Sequence, residues 1–189
     1  MNGNLEARPS VETATCCWTE DAWRTGHPSV AGYAMKLRFV WIGKTKLAPM
    51  RELIESYLKR VGNFARIEAL ELRDRDEVGS DPRKILEREG EDILERVDRD
   101  PFVVLLDERG RQLDSFKLAE LLETHRVGGS KQITFVLGGH FGVSEGVRKR
   151  ADFQLALSQM TLTHEMARLL LVEQVYRAFA IIHDLPYQK

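Results

Sequence analysis

The stretch FVLGGHFGVSEG, residues 135–146, leaves an apolar run and enters a loop that holds four glycines. This pattern is typical of a buried strand followed by a tight turn, since glycine adopts positive φ without steric cost. The glycine positions, 138, 139, 142 and 146, do not fit G-x-G-x-x-G, which argues against dinucleotide binding. A phosphate-binding loop favours a lysine or arginine, whereas this loop carries His140 and Phe141. The loop is therefore either a plain turn or the wall of another ligand site.

Strand-like and helix-like segments alternate on both sides of this loop. The apolar pattern predicts strands at 36–42, 65–72, 101–106, 132–137 and 153–158. It predicts helices at 47–61, 83–97, 116–126, 143–151 and 163–182. Asp114 and Ser115 are candidate caps of the third helix, and His164 is a candidate cap of the last. The alternating order predicts an α/β domain with a mostly parallel sheet.

Composition is consistent with one such domain. The chain has 189 residues, of which 43% are hydrophobic and 30% charged. Residues 1–34 are rich in Gly, Ser, Thr, Pro and Ala and show no strand or helix period, so we expect a disordered N-terminal extension. Met35 opens a strand-like run, and we expect the folded domain to span residues 35–189.

Charge and cysteine usage exclude several functional classes. A net charge of −1 provides no overall basic field of the kind that marks a nonspecific nucleic-acid binder. The only cysteines, Cys16 and Cys17, are adjacent and form neither a disulfide framework nor a zinc-binding spacing, which favours a cytoplasmic protein. No run of eighteen apolar residues is present, so we expect no membrane segment.

Two further motifs fail on inspection. A P-loop ending in GKT at 43–45 requires glycine where Arg38 stands. The HEMAR segment at 164–168 resembles HExxH, but Arg168 replaces the second histidine and a guanidinium does not bind zinc. We therefore expect no metal.

The C-terminal third carries a stronger signal. Its loop combines apolar Leu157, Met160 and Leu162 with the hydroxyls of Ser158 and Thr161. Apolar walls with free backbone groups, at the carboxyl ends of parallel strands, suit an adenosine-type ligand.

Several segments together resemble the RlmH-type members of the SPOUT methyltransferases. They are LLDERG at 105–110, FVLGGHFG at 135–142, ALSQMTLTHEMAR at 156–168, EQVYRAF at 173–179 and PYQK at 186–189. The resemblance spans residues 35–189. It implies an S-adenosylmethionine-dependent enzyme that methylates N3 of a pseudouridine in 23S rRNA of the ribosomal large subunit. It also implies a homodimer whose C-terminal part forms a trefoil knot.

The resemblance also implies site residues. Those that would bind S-adenosylmethionine are Leu106, Gly138, Leu157, Ser158, Gln159, Met160, Thr161 and Leu162. Glu173, Arg177 and Tyr187 would act on the substrate. Without the resemblance, the spacing of Glu173 and Arg177 favours a plain i,i+4 ion pair, worth about 0.2–0.5 kcal/mol, and Tyr187 is equally a packing anchor.

Two positions depart from the family pattern. Thr163 stands where the family usually has proline, which predicts a slightly looser cofactor loop, and Gln188 stands where it has histidine, which removes an obvious base. This loss motivates the alternative of a non-catalytic, dimeric RNA- or nucleoside-binding protein of the same fold. Candidate RNA contacts are Lys44, Lys46, Arg148, Lys149, Arg150, Arg168, Arg177 and Lys189.

Overall fold

Five parallel strands form one sheet, in the order β2-β1-β4-β3-β5. The computed structural model describes residues 35–75 and 81–188. The strands are β1 (Lys36–Ile42), β2 (Arg66–Leu72), β3 (Val103–Gln112), β4 (Gln132–Leu137) and β5 (Phe153–Ala156). The helices are α1 (Ala48–Val61), α2 (Pro82–Val97), α3 (Ser115–Val127), α4 (Glu145–Arg150) and α5 (His164–Ile182), followed by a 3-10 turn, Pro186–Gln188. The predicted α/β class is confirmed.

Helices cover both faces of the sheet. Side chains alternate across a strand, so Phe39 points to one face of β1 and Val40 to the other. Phe39 packs into a core with α1, α3 and α5, where its ring stacks on Phe135 with centroids 5.4 Å apart. Val40 packs into a second core with Ile93 of α2 and Val147 of α4. Helices therefore bury both faces of the sheet.

Helix starts follow the sequence prediction with two corrections. Asp114 caps α3 by accepting a 2.8 Å hydrogen bond from the amide of Lys117, whereas the Ser115 hydroxyl donates to Gln174 of α5 at 2.7 Å. Thr163, not His164, caps α5, and its hydroxyl accepts from the Met166 amide at 3.4 Å. A side-chain cap therefore stabilises the helix start where the family usually has proline.

β3 is longer than its apolar run predicts. Its pairing with Leu155 of β5 passes from Leu106 directly to Arg111, so the four residues 107–110 form a bulge that loops out from the pairing with β5. A Cβ on Gly110 would lie 2.6 Å from the carbonyl of Gln154, so only glycine lets the loop return against β5. The part of β3 after Leu106 carries mostly polar side chains, so the apolar pattern does not predict it as strand.

Some predicted features are not tested by the described residues. Residues 1–34 and Lys189 lie outside them. The trefoil knot stays a prediction. Within residues 35–75 and 81–188, no helix combines the length and apolar character that crossing a membrane requires.

Candidate active site

A cavity of about 740 Å³ opens at the carboxyl ends of β3, β4 and β5. Its walls are the loop-out after Leu106, the glycine loop after Leu137 and the loop that joins β5 to α5. The structure brings together seven of the eight predicted cofactor-binding residues on these walls: Leu106, Gly138, Leu157, Ser158, Met160, Thr161 and Leu162. Gln159 belongs to the same loop but is not among the residues that line the cavity.

The glycine loop closes on itself. The Gly142 amide donates a 2.9 Å hydrogen bond to the Gly139 carbonyl, and Gly142 has φ of +88°. A Cβ on Gly138 would lie 2.5 Å from the carbonyl oxygen of Gly142. Glycine at 138 is therefore required for the fold of the loop itself, because any side chain there would push the two arms apart.

Helix α2 packs against this loop. Glu89 is 3% exposed, and its Oε1 accepts a 3.0 Å hydrogen bond from the amide of Arg75. A Cβ on Gly139 would lie 3.1 Å from Cδ of Glu89, and one on Gly90 would lie 2.7 Å from Cβ of Ser144. Glu89 is a site residue that was not predicted, although the sequence contains a signal for it: a carboxylate interrupts the apolar i,i+4 stripe between Ile85 and Ile93.

Charged groups are paired around the cavity. Asp107 accepts from the guanidinium of Arg148 and, at 2.9 Å, from the amide of Arg109. The Thr161 hydroxyl donates to Glu108 at 3.4 Å, which joins the loop-out of β3 to the loop after β5. These pairs tie the walls of the cavity to one another.

Two histidines lie at the cavity, with their rings 6.5 Å apart. Burial lowers the pKa of His164, and the nearby Arg168 and His140 lower it further, against a smaller opposing effect of Asp74. His140 is exposed. His164 therefore favours its neutral form in the folded protein.

Arg168 fastens the start of α5 to the end of β1. Its side chain is 2% exposed, donates to the Thr45 hydroxyl at 3.0 Å and to the carbonyl of Ile42, and lies 5.4 Å above the ring of Trp41. The prediction that Arg168 contacts RNA is wrong for this structure, since a buried guanidinium with these partners does not reach a phosphate.

The three predicted catalytic residues lie together. Oε1 of Glu173 accepts from Nη2 of Arg177 at 2.7 Å and from the Tyr187 hydroxyl at 3.0 Å. The Arg177 guanidinium lies 4.8 Å from the centre of the Tyr187 ring. Since the Tyr187 hydroxyl donates to Glu173, the Tyr57 hydroxyl, 3.2 Å away, is the donor of that second bond. Burial and these two partners raise the pKa of Tyr187, and the hydrogen bond to Glu173 raises the pKa of Arg177.

These three residues, called the catalytic cluster after their predicted role, lie apart from the cavity of their own chain. None of the three lines the cavity, whereas Ala167, on the first turns of α5, does. Glu173 comes six residues later, which on an α-helix is about 9 Å along the axis and about 240° around it. The cluster therefore faces another side of α5. Among residues 35–75 and 81–188, no group of three His, Cys, Asp or Glu side chains is arranged to hold a metal.

Comparison with known proteins identifies the family of the chain. The family model described as "Predicted SPOUT methyltransferase" matches residues 35–188. A protein of Geotalea daltonii named ribosomal RNA large subunit methyltransferase H is 42% identical over 153 residues, which are 81% of this chain and 99% of the relative. A protein of the same name from Carboxydothermus hydrogenoformans is 37% identical over 159 residues, covering 82% of this chain and all of the relative.

A solved structure shows a similar fold at low sequence identity. A putative methylase family protein from Neisseria gonorrhoeae superimposes with a TM-score of 0.50 at 15% identity, over 79% of this chain and 85% of that one. The likeness concerns the fold alone. The family model matches residues 35–188, and the relatives are about 40% identical. This chain therefore belongs to the SPOUT methyltransferase family, among the large-subunit rRNA methyltransferases H.

Proposed function

We propose that this protein transfers a methyl group from S-adenosylmethionine to N3 of a pseudouridine in 23S rRNA. One observation carries the proposal: residues from three separate segments, predicted from the sequence to bind the cofactor, converge on one cavity at the carboxyl ends of the strands. Relatives that match along nearly their whole length are named as methyltransferases of ribosomal large-subunit RNA.

The cavity has the size and chemistry that such a cofactor needs. About 740 Å³ is within the range of small-molecule sites, roughly 300–1,000 Å³. Leu106, Leu157 and Leu162 provide apolar surface for an adenine, and the glycine loop contributes backbone polar groups to the same cavity. When bound, S-adenosylmethionine supplies a methyl group on a sulfonium leaving group, so the protein has to orient the base and manage its N3 proton.

The catalytic cluster provides the groups for that proton. Glu173 is held by Arg177 and Tyr187, and its Oε2 accepts from Gln174 at 2.6 Å. We infer that Glu173, or a water that it binds, accepts the N3 proton, and that Arg177 stabilises the negative charge that develops on the imide. Gln188 does not ionise and so takes no part as a base.

A homodimer would bring the catalytic cluster of one copy close to the cofactor cavity of the other. They face different sides of α5 within one chain, and two copies related by a two-fold axis would place the cluster of one beside the cavity of the other. Leu169 and Leu170 remain partly exposed on α5 and would be covered in such a dimer. The knot of the C-terminal loops belongs to the same proposal. Sedimentation at micromolar concentration should show a dimer, and a fully active monomer would contradict it.

The decisive experiment measures methyl transfer. The protein is incubated with S-adenosylmethionine labelled in its methyl group and with ribosomes, isolated large subunits or 23S rRNA that contain pseudouridine. Label should appear at N3 of one pseudouridine, and uridine in its place should abolish the transfer. Binding of cofactor and RNA without transfer on any of the three substrates would instead favour the alternative, a non-catalytic RNA- or nucleoside-binding protein.

A further inference from the structure

The loop between β1 and α1, Gly43–Leu47, is held by charged side chains of α5. The Lys46 amide donates to Oε1 of Glu165 at 2.6 Å, and the Leu47 amide lies 3.4 Å from the same oxygen. Arg168 binds the same loop through the Thr45 hydroxyl and the adjoining Ile42 carbonyl. A five-residue connection thus has one backbone conformation imposed on it from outside.

This clamp, formed by Glu165 and Arg168, is costly if its only task is to connect two elements. Burial lowers the pKa of Arg168, and the carboxylates of Glu71, Glu165 and Asp74 act against that shift. Burying a guanidinium incurs a desolvation penalty that such partners offset only in part, so groups of this kind are weak evidence for stability and are best attested as devices that define a conformation. The clamp therefore points to a task for the conformation of the loop.

The clamped loop presents two lysines to solvent. Lys44 and Lys46 are exposed, and neither forms an ion pair with any residue in the described part of the chain. Leu47 beside them is 59% exposed. Both ammonium groups are therefore available to an anion outside the protein.

The other basic candidates for RNA contact are already engaged or hidden. Arg148 pairs with Asp107, Arg150 with Asp152 at 3.0 Å, and Arg177 with Glu173 at 2.7 Å. Lys149 lies 3.9 Å from Glu145 at the surface of α4, and Arg168 is buried. Of the candidates within the described residues, Lys44 and Lys46 alone combine exposure, the absence of an ion pair and a fixed backbone.

The clamped loop also lies at the edge of the cavity. β1 is hydrogen-bonded to β4, so the loop after β1 runs beside the glycine loop after β4. A Cβ on Gly139 would lie 3.2 Å from Cγ2 of Ile42. Glu165 and Arg168, which hold the loop, flank Ala167 on the helix turn that lines the cavity. The clamped loop therefore borders the glycine wall of the cavity.

We propose that Lys44 and Lys46 bind backbone phosphates of the substrate RNA beside the cavity, and that the clamp sets the register of that contact. The proposal rests on the proposed function. Phosphate contacts position a nucleic acid without reading its sequence, and a fixed loop positions it more accurately than lysines on a flexible one. The target nucleotide would then be placed by two anchors, the loop and the catalytic cluster.

The test replaces both lysines by alanine, as Lys44→Ala with Lys46→Ala, and measures methylation of whichever pseudouridine RNA the wild-type protein modifies. KM for RNA should rise, and the slope of log affinity against log salt should become shallower by about 1.4 to 1.8, the loss of two phosphate contacts. Turnover at saturating RNA and calorimetric affinity for S-adenosylhomocysteine should not change. Arginine at both positions should restore KM and slope, because charge is kept.

The matched control removes the same charge at the opposite end of the strands. Arg99 follows α2 and Lys131 precedes β4; both are exposed, and Arg99→Ala with Lys131→Ala should leave KM and salt slope at the wild-type values. An unchanged KM and slope in the Lys44 and Lys46 variant, or an equal loss in the control, would overturn the proposal. Absence of methylation by the wild-type protein would instead refute the proposed function, so the two failures are distinguishable.

Discussion

Tyr187, in the tail after α5, donates a 3.0 Å hydrogen bond to Oε1 of Glu173, fourteen residues earlier on that helix. The same oxygen accepts from both Nε and Nη2 of Arg177, at 3.0 and 2.7 Å. One carboxylate oxygen therefore holds both an arginine and the tail in place. This arrangement goes beyond the surface i,i+4 ion pair that the spacing of Glu173 and Arg177 alone predicts.

Glu173→Gln and Arg177→Ala should each lower turnover strongly while leaving cofactor affinity nearly unchanged. A positioned general base contributes about 10²–10⁴-fold, and neither side chain lines the cavity. Single-turnover methylation at saturating cofactor measures the first effect and calorimetry the second. The matched control is the surface pair of α3, where Glu123→Gln and Arg126→Ala should leave turnover intact. Wild-type rates in both Glu173→Gln and Arg177→Ala would reduce that pair to a helix-surface contact.

Tyr187→Ala should weaken RNA engagement more than Tyr187→Phe. Phenylalanine keeps a ring against Arg177 and Tyr176 but loses the hydroxyl that binds Glu173 and Tyr57. If the ring stacks on a base, KM for RNA rises mainly in the alanine variant. Equal losses in the two variants would show that the hydroxyl, and not the ring, carries the contact.

Gly138→Ala should impair cofactor binding, and Gly138→Arg should abolish it. A Cβ there would lie 2.5 Å from the Gly142 carbonyl oxygen, so the wall of the cavity has to move. Calorimetry with S-adenosylmethionine and its demethylated product provides the measurement. Gly146→Ala is the control, because a Cβ there meets the end of the Leu94 side chain at 3.3 Å and no backbone. Tighter binding of ATP or NAD than of S-adenosylmethionine would contradict the cofactor assignment.

Stability should fall as the solution is acidified through the range in which His164 titrates. Its folded-state pKa lies below the usual value of 6.5, so the folded protein binds fewer protons than the unfolded chain there, and the free energy of unfolding rises with pH. This contribution is present above pH 6.5 and is lost as pH falls through the folded-state pKa. Melting temperatures at about pH 7.5 and about pH 5.5 should differ less in His164→Gln than in the wild type.

His125 should act in the same direction, because burial also lowers its pKa. The same pair of melting temperatures in His125→Gln tests this contribution separately.

A chain that begins at Met35 should fold and methylate as the full chain does. The family match begins at residue 35, and the first 34 residues show no strand or helix period. Thermal melting and methylation of both chains side by side provide the test. A large loss of melting temperature or of rate in the shorter chain would show that residues 1–34 pack or participate.

Much of this protein follows from short-range sequence patterns. Apolar runs such as residues 132–137 predict the strands, because a strand buried on both faces needs apolar side chains at nearly every position. Glycines after an apolar run predict a tight loop. The motifs around Gly138 and Leu157 predicted a set of cofactor-binding residues through their resemblance to a family, and most of that set lines one cavity. These signals are local, so the chain carries them in linear order.

Only the tertiary structure decided the features that depend on residues distant in the chain. The sequence marks Arg168 as a candidate RNA contact, but the fold buries it. Its guanidinium donates hydrogen bonds to Thr45 and Ile42, which lie 123 and 126 residues earlier in the chain. Glu89 of α2 lies against Gly139 of the glycine loop, and no local sequence pattern predicts that contact. The placement of Glu173 away from the cavity follows from the rotation of α5, which only packing defines. Sequence patterns record what one segment prefers, whereas these contacts arise when the sheet brings separate segments to one edge.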